Sequence, residues 1–196
     1  DGYSGDSHSR VQLSTLAPPY VAFSNDSQEV SGASLIARWQ RQHDSGASTT
    51  AQAYAEYTDR QSVLYGETRR TISADLQHQR IAGRHNVVAG LTYRRNGYEF
   101  ATSPTITISD RQPDDYLVSG FLQDEITLVP EQLRLVLGTK LEQNTLSDSG
   151  LDAMPTARIL WQVTPTTNAW AAATRAVRTP SWADLSASVL DVAPVI

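Results

Sequence analysis

From residue 31 onward the chain is written in a two-residue rhythm. Leu35, Ala37 and Trp39 alternate with Ser34, Arg38 and Gln40, and Ala51, Ala53, Ala55 and Tyr57 alternate with Gln52, Tyr54, Glu56 and Thr58. Successive side chains of a β-strand project to opposite faces, so each such segment has one apolar and one polar face. The rhythm continues. Ile72, Ala74 and Leu76 oppose Ser73, Asp75 and Gln77, and Val87, Ala89, Leu91 and Tyr93 oppose Gly90, Thr92 and Arg94. Val118, Gly120, Leu122, Ile126 and Leu128 oppose Phe121, Gln123, Glu125 and Thr127. Leu133, Leu135, Leu137 and Leu141 face away from Arg134, Lys140 and Glu142, and Ala157, Ile159, Trp161 and Val163 from Arg158 and Gln162. A last segment around Trp170 carries two competing alternations and neither face is assigned.

The links between these segments alternate in length. They are short at 43–47, 82–85, 130–132 and 165–168, and longer at 59–67, 99–115 and 145–154. Short turns on one side and long loops on the other are expected of an outer-membrane barrel. The fold class expected is all-β: an antiparallel up-and-down transmembrane barrel section of about eight strands with long external loops. Residues 1–30, rich in Ser, Asp, Gly and Pro, are expected to form an external loop region, residues 31–178 the barrel strands, and residues 179–196 a further external loop. In that last part Ser181-Trp-Ala-Asp184 is a capping-box pattern that predicts a short helix.

The apolar face separates lipid from a soluble core. Ala51, Ala53 and Ala55 in succession would fill a packed interior poorly, whereas acyl chains fill any gap. Trp39 and Trp161 near the short turns, with Tyr57 and Tyr93 toward the long loops, sit where interfacial girdles lie. No apolar run approaches the 18 or more residues of a spanning helix. The first residues have neither the basic start nor the apolar stretch of a signal peptide.

Composition removes several function classes. The net charge is −5 and the Arg69-Arg70 and Arg94-Arg95 pairs stand alone, which argues against nucleic acid. With no cysteine there is no disulfide, thiolate ligand or thiol nucleophile. His8, His43, His78 and His85 are scattered, none pairing with another His or carboxylate at ligand spacing, so no metal site is expected. There is no phosphate-binding Gly-rich loop or nucleophile elbow, and Asp124-Glu125, adjacent in a strand, point to opposite faces. No catalytic residue and no cofactor are assigned, and the chain is expected not to be an enzyme.

Four segments carry a family resemblance: Gly120-Phe-Leu-Gln-Asp-Glu-Ile126, Leu133-Arg-Leu-Val-Leu-Gly-Thr-Lys-Leu-Glu142, Pro155-Thr-Ala-Arg-Ile-Leu-Trp161 and Trp170 to Ser181. In order and spacing they resemble the barrel of TonB-dependent outer-membrane receptors, most clearly over residues 116–184. The resemblance implies a barrel of about 22 strands around a plug domain. Such a receptor takes up a ferric siderophore or similar scarce nutrient with energy delivered by TonB. Its partners are outer-membrane lipid, the plug and, through it, TonB.

The chain departs from that pattern, with no recognisable plug, TonB-binding segment or aromatic-ended terminal strand. It is therefore expected to be an internal section or truncated product, not competent for transport alone. Arg38, Glu56, Arg94, Glu125, Lys140, Glu142 and Arg158 are expected to face a plug, or else to keep a lumen wet. Arg175 and Arg178, beside Thr179-Pro180-Ser181, are candidate plug or ligand contacts. Residues 1–30 and 99–115 are the places for external ligand contact. Two alternatives remain open: a complete small outer-membrane barrel, structural or an adhesin, and a soluble β-sandwich that binds carbohydrate.

Overall fold

The computed structural model describes residues 1–14, 18, 20–63, 65–102, 106–146 and 150–189. The strands are β1 Gly2–Ser14, β2 Val21–Gln42, β3 Ser48–Gln61, β4 Gly66–Ala82, β5 His85–Ala101, β6 Ile106–Ile108, β7 Asp114–Val129, β8 Leu133–Asn144, β9 Leu151–Thr164 and β10 Thr167–Thr174. A short helix, α1 Trp182–Ser186, and a last strand, β11 Ala187–Val189, follow. Nine strands form one antiparallel sheet in the order β1-β2-β3-β4-β5-β7-β8-β9-β10, while β6 and β11 pair separately from it. Glycines make two of the short turns, Gly46 at φ 76° and Gly83 at φ 61°, a region that costs other residues energy.

The registers carry each strand's alternation across the sheet. Arg38, Gln52, Asp75, Thr92, Ser119, Glu142 and Asp152 lie directly opposite one another in turn, forming one row of a polar face. One residue along, Trp39, Ala51, Leu76, Leu91, Gly120, Leu141 and Ala153 form the matching row of the apolar face. The polar face is the enclosed one. Asp26 is 2% exposed and Asp115 3%, whereas Leu35 is 70% and Leu91 63% exposed. Among the described residues the buried apolar side chains are Ala47, Ile108 and Val136 alone, so no soluble-type core exists.

Two alternatives end here. A sandwich needs two stacked sheets enclosing apolar side chains, and this sheet encloses polar ones. A complete small barrel needs its first and last strands paired, but β1 and β10 are the two open edges.

Several expectations about boundaries are corrected. Residues 1–30 are not a loop: Gly2–Ser14 pairs with Val21–Ala33 throughout, which raises the sheet from about eight strands to nine. The link expected at 59–67 shrinks because Asp59 to Gln61 pair with Thr68 to Gly66, and the loop expected at 145–154 gives way to β9 at Leu151. The cause is common to all three. A tilted strand needs about 9–11 residues to cross the apolar layer, and β2 alone has 22. The excess lies toward the long loops, where neither face need be apolar, so the pairing leaves no alternation to read. The final segment also resolves: Ala169, Ala171 and Ala173 share the apolar face with Trp161, Ile159 and Ala157, and Trp170 stands opposite Leu160 on the polar face. The expected strand region 31–178 thus becomes Gly2 to Thr174, and the expected 179–196 loop holds α1 and β11. Residues 190–196 lie outside the described residues.

Candidate functional site

The polar face is built from residues two apart on every strand, so its chemistry is distributed rather than gathered in one pocket. Arg38, Glu56, Arg94, Glu125, Lys140, Glu142 and Arg158 all fall on it by register. In its central row the Thr92 hydroxyl donates to Asp75 Oδ1 at 2.7 Å, and Lys140 Nζ lies 2.6 Å from Glu142 Oε2. Glu142 is directly opposite the buried Asp152, so the Lys140 ammonium offsets the repulsion of two facing carboxylates. Nearer the short turns, Arg134 Nη1 donates to Glu125 Oε1 at 3.3 Å. Arg38, Arg94 and Arg158 form no ion pair among the described residues.

Toward the long loops the face holds a chain of side-chain hydrogen bonds that sequence reasoning missed. Thr71 Oγ1 donates to Asn96 Oδ1 at 2.9 Å, and Asn96 Nδ2 donates to Asp115 Oδ1 at 2.8 Å. Arg69 Nη2 donates to Glu56 Oε2 at 3.3 Å beside it. Asp26, the most buried side chain among the described residues, accepts from the Val63 amide at 2.8 Å and ties the backbone just after β3 to β2. The signal that could have found Arg69, Thr71 and Asn96 is continuation of the Ser73–Asp75 and Thr92–Arg94 alternation past the last apolar residue.

The two arginines near the end are placed differently. The Arg175 amide donates to Pro155 O at 3.0 Å and its Nη1 to Ala153 O at 2.9 Å, so it extends the β9–β10 pairing and does not reach the polar cluster. Arg178 lies 3.7 Å from Asp184 Oδ2, with its side chain 88% exposed. Ser181 caps α1 reciprocally: its hydroxyl accepts from the Asp184 amide, and its own amide donates to Asp184 Oδ2 at 2.9 Å. That amide donor holds the Asp184 carboxyl below the ordinary carboxylate range.

Three of the histidines have side-chain partners that spacing along the chain does not reveal. His43 Nε2 and His78 Nδ1 each lie 2.9 Å from Thr49 Oγ1, and His85 Nδ1 lies 2.6 Å from Asp124 Oδ2. Sequence spacing hides these contacts because the partners sit on neighbouring strands. Asp124 and Glu125 do point apart, Asp124 to His85 on the apolar face and Glu125 to Arg134 on the polar one. Among the described residues no cluster of three metal-ligating side chains exists.

This geometry has counterparts. The family model described as TonB dependent receptor-like, beta-barrel matches residues 2–194. Comparison with curated proteins finds no match. A crystal structure of the siderophore receptor PirA from Pseudomonas aeruginosa superposes with a TM-score of 0.72 at 11% sequence identity, over 92% of this chain. The chain spans 34% of that structure's length, and at this identity the likeness is one of fold.

Proposed function

Because this chain belongs to the TonB dependent receptor-like β-barrel family, we propose that it is one section of the wall of an outer-membrane receptor for a ferric siderophore or similarly scarce nutrient. One observation carries the reading: a single sheet that encloses its polar face and exposes its apolar one. Such polarity suits a strand wall with lipid outside and a polar filling inside. The family is one of receptors and transporters, not enzymes.

In this reading Arg38, Arg94 and Arg158, with the Lys140–Glu142 and Arg69–Glu56 pairs, meet the plug that carries TonB's pull. The long-loop ends of β1 to β5 and residues 106–113 rise outside the cell, where ligand is met. The siderophore reading draws its support from the superposed receptor's ligand class. The section alone leaves both sheet edges open and transports nothing.

Vesicle flotation tests the wall. The chain, diluted from denaturant, is expected to float with phospholipid vesicles and to aggregate without them, since its edges and broad apolar face are exposed. A monodisperse protein in plain buffer would contradict it. For the cargo, radio-iron uptake through the complete receptor containing this section should depend on a siderophore. Uptake of cobalamin but not of ferric siderophores would sink that part alone.

A further inference from the structure

The apolar face is not uniformly apolar. At the short-turn ends of β2, β3 and β4, Arg41, Thr49 and His78 stand directly opposite one another on it. Arg80 lies two residues beyond His78 on the same face of β4. The Thr49 hydroxyl bridges His43 Nε2 and His78 Nδ1 at 2.9 Å each, with the two rings edge to face at 6.0 Å. A hydroxyl has one proton, so it donates to one ring and accepts from the other. That leaves each ring with a second nitrogen outside the bridge.

Charge sets this cluster apart from the other end of the same face. Toward the long loops, Arg70 pairs with Glu99 at 2.7 Å and Arg95 with Asp114 at 2.8 Å. At the short-turn end, Arg41 and Arg80 are exposed and make no ion pair among the described residues; the turn carboxylate Asp44 pairs with neither, and Asp124, in register with Arg80 two strands away, is engaged by His85. Immediately beyond Thr49 and His78 the surface becomes a shallow groove. Ala51, Ala53 and Ala74 line it together with Trp39, Leu76 and Leu91.

A cationic, hydrogen-bonding head joined to an apolar groove matches an amphiphile of opposite charge. We propose that this surface binds an anionic glycerophospholipid. Its phosphate is held by Arg41 and Arg80 with the His43–Thr49–His78 relay, and one acyl chain lies along the alanine groove. Free phosphate lacks the chain the groove needs, and zwitterionic lipid brings its own cation to the two arginines. The inference rests on the reading that this face meets lipid, and it adds which lipid is preferred and where.

Phospholipids brominated on their acyl chains quench tryptophan on contact, and the Trp39→Phe difference isolates the Trp39 signal. In the full chain folded in detergent micelles, brominated phosphatidylglycerol is expected to quench Trp39 at a roughly tenfold to thirtyfold lower mole fraction than brominated phosphatidylcholine, from about two arginine–phosphate contacts. Arg41→Gln/Arg80→Gln should abolish that preference without changing quenching by phosphatidylcholine, and inorganic phosphate should not compete. Ala53→Leu fills the groove with the charges intact and should weaken quenching by the anionic lipid, a second route should the double variant fold poorly. Equal quenching by the two lipids, unaltered by either variant, overturns the site while leaving the lipid-facing reading in place. No quenching of Trp39 by any lipid overturns both.

Discussion

A single charge placed on Leu91 decides between lipid and water as the medium of the apolar face. Leu91 is 63% exposed and lies about six residues into β5 from the short turn, with Leu76 and Gly120 directly opposite. At about 3.4 Å per residue and a 45° tilt, it stands about 14 Å above that turn, near the middle of an apolar band about 25 Å tall. Ala89 and Tyr93 are its same-face neighbours along the strand, so an arginine there finds no carboxylate within reach. Leu91→Arg is then expected to cost about 2–4 kcal/mol, a roughly 30- to 800-fold shift in the folding equilibrium. On a water-exposed surface the same change is worth within about 0.5 kcal/mol. The measurement is urea unfolding of the chain in phosphatidylcholine vesicles, followed by tryptophan emission, with Leu91→Met as the volume-matched control. A cost below about 0.5 kcal/mol with an unchanged m-value would refute the assignment of this face to lipid.

Lys140→Met should destabilise the folded sheet by about 1–2 kcal/mol in the same assay, because Glu142 and Asp152 then face each other without the ammonium. Adding Glu142→Gln should recover most of that loss, and no recovery would show the pair to be uncoupled. Gly90→Ala should cost about 1–3 kcal/mol, since the new methyl meets the Phe121 ring and comes 2.9 Å from the Leu76 carbonyl. Placing alanine at Gly5, which has open space about it, is the comparison that should cost far less. The Asp184 carboxyl is held low, so its contribution to the α1 cap is full above the ordinary carboxylate value of about 3.9 and is lost as pH falls through its depressed value. Protection of the Ser181 amide, taken relative to its intrinsic exchange rate at each pH, should fall only in that acid range, and Asp184→Asn should remove the dependence.

What could be read from the chain follows the solvent each residue meets. Between Leu35 and Trp39, or Ala51 and Tyr57, one face must be apolar and the other need not be, so the strand period is visible. In the proposed membrane setting, water lies on both sides above that level. Gly2–Ser14 then pairs residue for residue with Val21–Ala33 while its composition looks like that of a loop. The polar face was legible wherever an apolar partner marked the phase, which includes Arg38, Glu125 and Lys140 but not Thr71, Asn96 or Asp115. Pairings such as Thr49 with His78, or His85 with Asp124, depend on register between strands, and a pattern within one strand holds no information about its offset from the next.

Every strand of the large sheet borders only the strands that precede and follow it along that sheet, with the short β6 set aside in a loop. The wall is therefore a count of hairpins, not a wiring diagram. Duplicating or deleting one hairpin changes the circumference by two strands and disturbs no register elsewhere. Curvature, bore and load can thus be altered by unequal recombination at any turn. Each stave answers only to its two neighbours.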